Sequence, residues 1–187
     1  MSSLDKIKND FLSGVLTKPE YINKMYKICH SKLFDYADFI SQTDIDEIKI
    51  LDNQVYMKSR RFQIGMFCPN GDYRVAPIES LNFLGYEVKD TNMILSLIPK
   101  NGVVFDIGAN MGWYSLIIAK QNKNLKVYSF EPIPKTFSFL QKNVNFNKLE
   151  NIYTHNFGFS DKTKDLVFYT YPEGSGNASS VNLTERN

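Results

Sequence analysis

Cysteine, histidine and tryptophan are scarce in this chain, and the first two scarcities remove classes of function. Two cysteines, Cys29 and Cys68, occur in 187 residues. That is too few for a disulfide framework, and both read as small buried hydrophobes. Of the two histidines, His30 follows Cys29 without a matching second ligand pair, and His155 falls in an apolar strand. No metal site is expected. Charge of one sign is also lacking: 22 basic and 20 acidic side chains leave a net +2. These charges are scattered, with no basic stripe interleaved with aromatics, so no nucleic-acid partner is expected. No apolar run reaches membrane length. Met1-Ser2-Ser3-Leu4-Asp5-Lys6 lacks the apolar core of a signal peptide. The expectation is a cytosolic chain without a membrane partner. What remains is 43% hydrophobic, ordinary for one globular domain with a real core.

The most informative stretch is Val103-Val104-Phe105-Asp106-Ile107-Gly108-Ala109-Asn110-Met111-Gly112-Trp113-Tyr114-Ser115. A continuous apolar run marks a parallel strand buried on both faces. An acid and a glycine-spaced turn end it, and a helical apolar pattern follows. A second strand, Val127 to Phe130, ends in Glu131-Pro132. Its acid lies about 25 residues after the first, close to the spacing at which a Rossmann-type acid meets a ribose hydroxyl.

The glycine pattern discriminates between ligands. A dinucleotide loop needs glycine at its first, third and sixth places, which here hold Gly108, Asn110 and Trp113. The third glycine, which allows close helix–strand packing, is replaced by the bulkiest side chain. Asp106 would also repel a phosphate. An acid there suits a ligand with a positive group, such as the amino group of a methionine moiety. Asn110 substitutes for glycine because asparagine tolerates left-handed backbone. Gly112 lets the helix start close to the ligand.

Asp106-Ile107-Gly108-Ala109-Asn110-Met111-Gly112, followed by Tyr114-Ser115, resembles the S-adenosylmethionine loop of class I methyltransferases, and specifically that of the FkbM-type family. Lys100-Asn101-Gly102, Phe130-Glu131-Pro132 and Asn156-Phe157-Gly158-Phe159-Ser160-Asp161-Lys162 resemble that family's turn and strand ends. Gly174-Ser175-Gly176-Asn177-Ala178-Ser179-Ser180 resembles a small-residue loop beyond them. The resemblance runs from about residue 85 to Asn187. It implies S-adenosyl-L-methionine as cofactor and methyl transfer to an oxygen of a sugar or similar small acceptor. Asp106 would hold the methionine amino group. The backbone at Gly108, Ala109, Asn110 and Gly112 would approach methionine and ribose. Glu131 would accept both ribose hydroxyls, with Pro132 beside it and Ile133 packed on the adenine. Asn156 and Phe157 are adenine-edge candidates by position. Tyr114 lines the methionine side or packs in the core. Gly85-Tyr86-Glu87 resembles the family's aromatic–acid pair, so Glu87 either approaches the cofactor or is a solvated helix charge. No general base is assigned.

The expected fold is α/β: a Rossmann-like class I methyltransferase core over residues 99–187, preceded by an extension over residues 1–98. In that extension, Leu4, Ile7, Phe11 and Val15 recur at helical spacing. Thr17-Lys18-Pro19-Glu20 opens a second helix. Its stripe of Ile22, Met25, Cys29, Leu33, Tyr36 and Ile40 reads as core. A β-meander spans residues 45–78, with a hairpin signal at Pro69-Asn70-Gly71-Asp72. Ser80 to Leu97 reads as mostly helical. From Gly102 the pattern is β-α-β-α-β, and right-handed crossovers give the strand order 3-2-1. Asp165 to Tyr171 reads as an antiparallel strand.

No D-x-E-G motif, the resemblance's second acidic signature, follows these strands. The core is therefore expected to be incomplete in its C-terminal half, with an uncovered apolar edge on the first strand that favours self-association. Two rival functions remain open: a non-catalytic or truncated cofactor-binding module that lacks the acceptor half and transfers no methyl group, and a nicotinamide enzyme, which Trp113 disfavours.

Overall fold

The N-terminal helices begin where side chains replace missing helical hydrogen bonds. In the computed structural model, which describes residues 2–51, 53–171 and 174–179, Ser2 and Asp5 form a capping box that opens α1 (Ser3–Leu12). The backbone N–H and hydroxyl of Thr17 both donate to Glu20 at the start of α2 (Lys18–Met25), with Pro19 in its first turn. Helix α2 continues through a π turn, Tyr26–His30, into α3 (Ser31–Phe39). Phe11 stacks on Tyr21 with ring centroids 4.6 Å apart. The expected core stripe is not formed. Met25, Cys29 and Ile40 are half-buried, but Ile22, Leu33 and Tyr36 are exposed. The π turn at Tyr26–His30 shifts the period for Leu33 and Tyr36, which follow it; Ile22 precedes it and is exposed within regular helix.

The chain divides into two compact units, Met1–Gln42 and Thr43–Asn187. The division falls before the meander. In the second unit, β1 (Ile45–Leu51), β2 (Gln54–Ser59) and β3 (Gly65–Cys68) form an antiparallel sheet in that order. Asn53, at φ +62°, turns the chain between β1 and β2. The buried Asp44 carboxylate organises the next turn by accepting the Ser59 hydroxyl at 2.8 Å and the Arg61 N–H at 3.1 Å. Gly65 is needed because the Tyr56 phenol lies across it: an added Cβ would sit 1.9 Å from the hydroxyl oxygen. Replacing Gly65 by alanine is therefore expected to cost about 1–3 kcal/mol, the usual range for an overpacked site. Urea unfolding measures this, and an unchanged midpoint would mean that Tyr56 moves aside freely.

The Pro69–Asp72 signal makes a turn, with Gly71 at φ +90°, but no hairpin. No alternating apolar run follows it. Tyr73 and Arg74 are exposed, and Pro77 sits in the first turn of α4 (Ala76–Asn82). The single helix expected over residues 80–97 is interrupted. Helix α4 ends before Phe83, and α5 (Val88–Leu97) begins after Glu87. Gly85 at φ +143° and Glu87 at φ +41° lie outside helical backbone space.

Strands β4 (Gly102–Ile107), β5 (Leu125–Phe130) and β6 (Ile152–His155) are parallel, in the order β4-β5-β6. Helix α6 (Trp113–Gln121) and helix α7 (Pro134–Asn147) make the crossovers. This is the expected 3-2-1 arrangement. Val127 and Ile152 on one face pack with Leu116, Ile117, Leu140 and Val144 of the helices. The opposite face is open and aromatic. Phe105 is 64% exposed, and Tyr128, Phe130, Tyr153, His155, Phe157 and Phe159 form a chain of ring contacts across the sheet. Parallel sheets are ordinarily covered on both faces. Among the described residues the exposed region therefore extends beyond the expected edge of β4 to much of the second face, with Phe130 buried among the other rings.

Two short strands, β7 (Tyr169–Tyr171) and β8 (Gly174–Ser179), pair antiparallel. The expected strand over residues 165–171 is thus limited to its last three residues. The expected small-residue loop is a strand through Ser179, while Ser180 lies outside the described residues. No helix among the described residues is long and apolar enough to cross a membrane.

Candidate cofactor site

The site lies at the carboxyl ends of β4 and β5, where open α/β sheets bind ligands. Asp106, next to last in β4, turns toward α6. Its Oδ2 accepts a hydrogen bond from the Ser115 hydroxyl, which lies 2.6 Å from the Ser129 hydroxyl of β5. Both serines are fully buried. Burial raises the Asp106 carboxyl above its ordinary range, and the Ser115 hydrogen bond partly opposes this. Asp106 thus ties the end of the strand to the first turn of the helix. Ser115 stands in the loop motif without an assigned role, and Ser129 carries no spacing signal of its own.

Three loop positions are left-handed: Gly108 at φ +81°, Asn110 at +50° and Gly112 at +96°. The amides of Gly108 and Ala109 both donate to the Phe130 carbonyl at 2.9 Å. That of Asn110 donates to Glu131 Oε2 at 2.9 Å, and that of Gly112 to the Ala109 carbonyl at 2.8 Å. A pyrophosphate site needs loop amides pointing at the ligand. These four are already used within the protein, which agrees with the glycine pattern in opposing a dinucleotide. The two glycines differ in surroundings. A Cβ at Gly108 would meet nothing within 4 Å, whereas at Gly112 it would sit 2.7 Å from Leu140 Cδ1. Gly108 borders open space, and Gly112 is packed against α7.

Glu131 is only 6% exposed. Its Oε2 accepts from Asn110, and its Oε1 accepts the Ile133 N–H at 2.9 Å. Burial raises its pKa, the two amide hydrogen bonds lower it, and the Asp106 charge raises it further. An ionised carboxylate oxygen can accept a second donor beside the first. The Asn156 amide donates to the carbonyls of Glu131 at 2.8 Å and Pro132 at 3.2 Å. It fixes the chain that carries Glu131. Ile133 is half-buried at the start of α7, and Phe157 is exposed on the aromatic side of the sheet.

Glu87 and Tyr114 are brought together: the Tyr114 hydroxyl donates to Glu87 Oε2. Burial and then Glu87 push the phenol above its ordinary range. Glu87 precedes α5 and is not a mid-helix charge. Its neighbour Tyr86 meets Trp113 edge-on at 5.7 Å, and the Trp113 ring nitrogen donates to the buried Thr91 hydroxyl at 3.5 Å. Trp113 therefore holds the α5 segment against the loop. His155 stacks on Phe130 at 5.0 Å, on the open face. Among the described residues no group of three or more His, Cys, Asp or Glu is placed to hold a metal ion.

With this geometry in place, the comparisons with known proteins assign the domain. The family model of the TRM5/TYW2 methyltransferase domain matches residues 73–166. Methyltransferase 1 of Beauveria bassiana is 27% identical over 81 residues, 43% of this chain and 32% of that protein. The tRNA (guanine(37)-N(1))-methyltransferase of Pediculus humanus subsp. corporis is 25% identical over 164 residues, 75% of this chain and 35% of that protein. The chain thus spans about a third of the length of these relatives. The crystal structure of Methanocaldococcus jannaschii TYW2 in complex with AdoMet matches with a TM-score of 0.35 and 19% identity, over 60% of this chain and 42% of that one. Two expectations are corrected. The matching family is not the FkbM-type one that the loop resembles. The exclusion of a nucleic-acid partner is overturned by the louse relative, a tRNA methyltransferase. A nearly balanced net charge is a property of the whole chain and says nothing decisive about one binding face. The Rossmann-like α/β core, the S-adenosylmethionine loop and the family match converge: the chain belongs to the TRM5/TYW2 methyltransferase domain family, within the class I S-adenosylmethionine-dependent methyltransferases.

Proposed function

We propose that the domain transfers a methyl group from S-adenosylmethionine to a base of a transfer RNA, rather than to a sugar. The acceptor is inferred from the louse relative. The observation that carries the cofactor half of the reading is the buried Glu131, held by the Asn110 and Ile133 amides beside the open space at Gly108. In this reading Glu131 accepts the ribose hydroxyls, and Ile133 and Phe157 flank the adenine. Asn156 keeps that wall in register. Asp106 places negative charge under the loop on the methionine side, and the Tyr114–Glu87 pair borders that side. The bound cofactor supplies a sulfonium methyl open to in-line displacement. The protein's contribution is then to orient the methyl donor and keep it in place.

A second reading, a cofactor-binding module without transfer, is favoured by one observation: among the described residues Phe105, Phe157 and Phe159 on that sheet face are exposed. Parallel incubations of the chain with methyl-labelled cofactor and either unmodified tRNA or a saccharide separate the two. The expected result is label in the tRNA, abolished by Glu131→Ala. Binding of S-adenosylhomocysteine without label in tRNA would favour the module. Label in a saccharide and not in tRNA would overturn the proposed acceptor.

A further inference from the structure

Helix α7 carries two asparagines one turn apart, Asn143 and Asn147, on the side facing β3. Asn143 is fully buried. A buried amide is costly unless both its ends are satisfied, and here both are. Its Oδ1 accepts the Phe67 N–H of β3 at 2.9 Å, and its Nδ2 donates to the Met111 carbonyl at 2.9 Å. The two partners belong to different parts of the unit, the meander and the cofactor loop. Asn147 makes the parallel contacts one turn later. It accepts the Gly65 N–H at 2.9 Å and donates to the Gly65 carbonyl at 2.6 Å and to the Asn143 carbonyl. These three contacts tie Asn147 to β3 and to its own helix, not to the cofactor loop.

Met111 lies between the residue whose amide holds Glu131 and the glycine that starts α6. The direction of its carbonyl therefore constrains the chain through Asn110 and Gly112, both already in left-handed backbone. We propose that Asn143 is a positioning residue for the cofactor loop, acting through the Met111 carbonyl and making β3 part of the site's support. This rests on the cofactor reading given above. Without the amide, the loop keeps its sequence but loses the contact that orients Met111, and Asn110 is less well held against Glu131.

The test compares Asn143→Ala with Asn147→Ala, with urea unfolding alongside calorimetric titration of S-adenosylhomocysteine. Both variants lose stability, because each strips β3 of a hydrogen-bond partner. Only N143A is expected to weaken binding, by about tenfold, with N147A within about twofold of wild type. Equal binding losses, or unaffected N143A, would overturn the proposal. If N143A does not fold, hydrogen exchange on the wild type decides. Saturation with S-adenosylhomocysteine should raise protection of the Phe67 amide more than that of the Gly65 amide, and equal changes would overturn the proposal. A wild type that binds no S-adenosylhomocysteine would overturn the cofactor reading and this proposal with it. A wild type that binds, beside an unaffected N143A, overturns the proposal alone.

Discussion

Glu131→Ala is expected to weaken S-adenosylhomocysteine binding at least tenfold while the fold survives. A hydrogen bond to a charged group is worth about 1.5–3 kcal/mol, and one such bond to a ribose hydroxyl already accounts for a tenfold change. The fold should survive because Glu131 is held against a burial penalty. Desolvation raises its pKa, and the Ile133 and Asn110 amides only partly offset this. Alanine removes both the penalty and the offset. Calorimetric titration measures the loss, and unchanged affinity in a folded variant would remove Glu131 from the site.

The same carboxylate sets opposite pH trends for stability and binding. A carboxyl whose pKa is raised by folding adds stability that is complete below its unfolded pKa. That contribution is lost as pH rises through the folded value. Ribose hydroxyls prefer to donate to the ionised form, so binding weakens as pH falls through the folded value. Acidification from neutrality is therefore expected to reduce affinity for S-adenosylhomocysteine without loss of Glu131's share of stability. In Glu131→Gln this part of the affinity slope should vanish. An identical slope in wild type and E131Q would assign the titration elsewhere.

The two loop glycines should fail in different ways. At Gly108 an added Cβ meets nothing within 4 Å beyond its chain neighbours but must adopt φ +81°. Gly108→Val is expected to keep near-native circular dichroism and lose binding, because its branches fill the space proposed for the ligand. At Gly112 the Cβ itself would collide with Leu140 at 2.7 Å, at φ +96°. Gly112→Val is expected to lose folding cooperativity as well. Retained binding in G108V would make that open space irrelevant to the ligand.

The loop was legible in the sequence because its constraints are local. Gly108, Asn110 and Gly112 are residues that left-handed backbone selects, and all three adopt it. Strand order followed from crossover handedness. The supports of the loop were not legible. Asn143 meets Phe67 across 76 positions and Met111 across 32, and nothing in a helical stripe marks a buried asparagine. The break between α4 and α5 was hidden because apolar spacing continues across it, although Phe83 is already extended and Gly85 at φ +143° and Glu87 at φ +41° keep the chain out of helical geometry. The N-terminal stripe assumed a regular period that the π turn at Tyr26–His30 interrupts. The loop motif indicated a class I methyltransferase, but it did not distinguish the TRM5/TYW2 family from the FkbM-type family, and scattered charge wrongly argued against nucleic acid.

The most direct test is parallel calorimetric titration of the wild-type chain with S-adenosylhomocysteine and with NAD. The account predicts saturable one-to-one binding of S-adenosylhomocysteine and none of NAD, because the loop amides that a pyrophosphate would need are already donated to Phe130, Glu131 and Ala109. Saturable NAD binding, or no binding of S-adenosylhomocysteine by the folded protein, would contradict it.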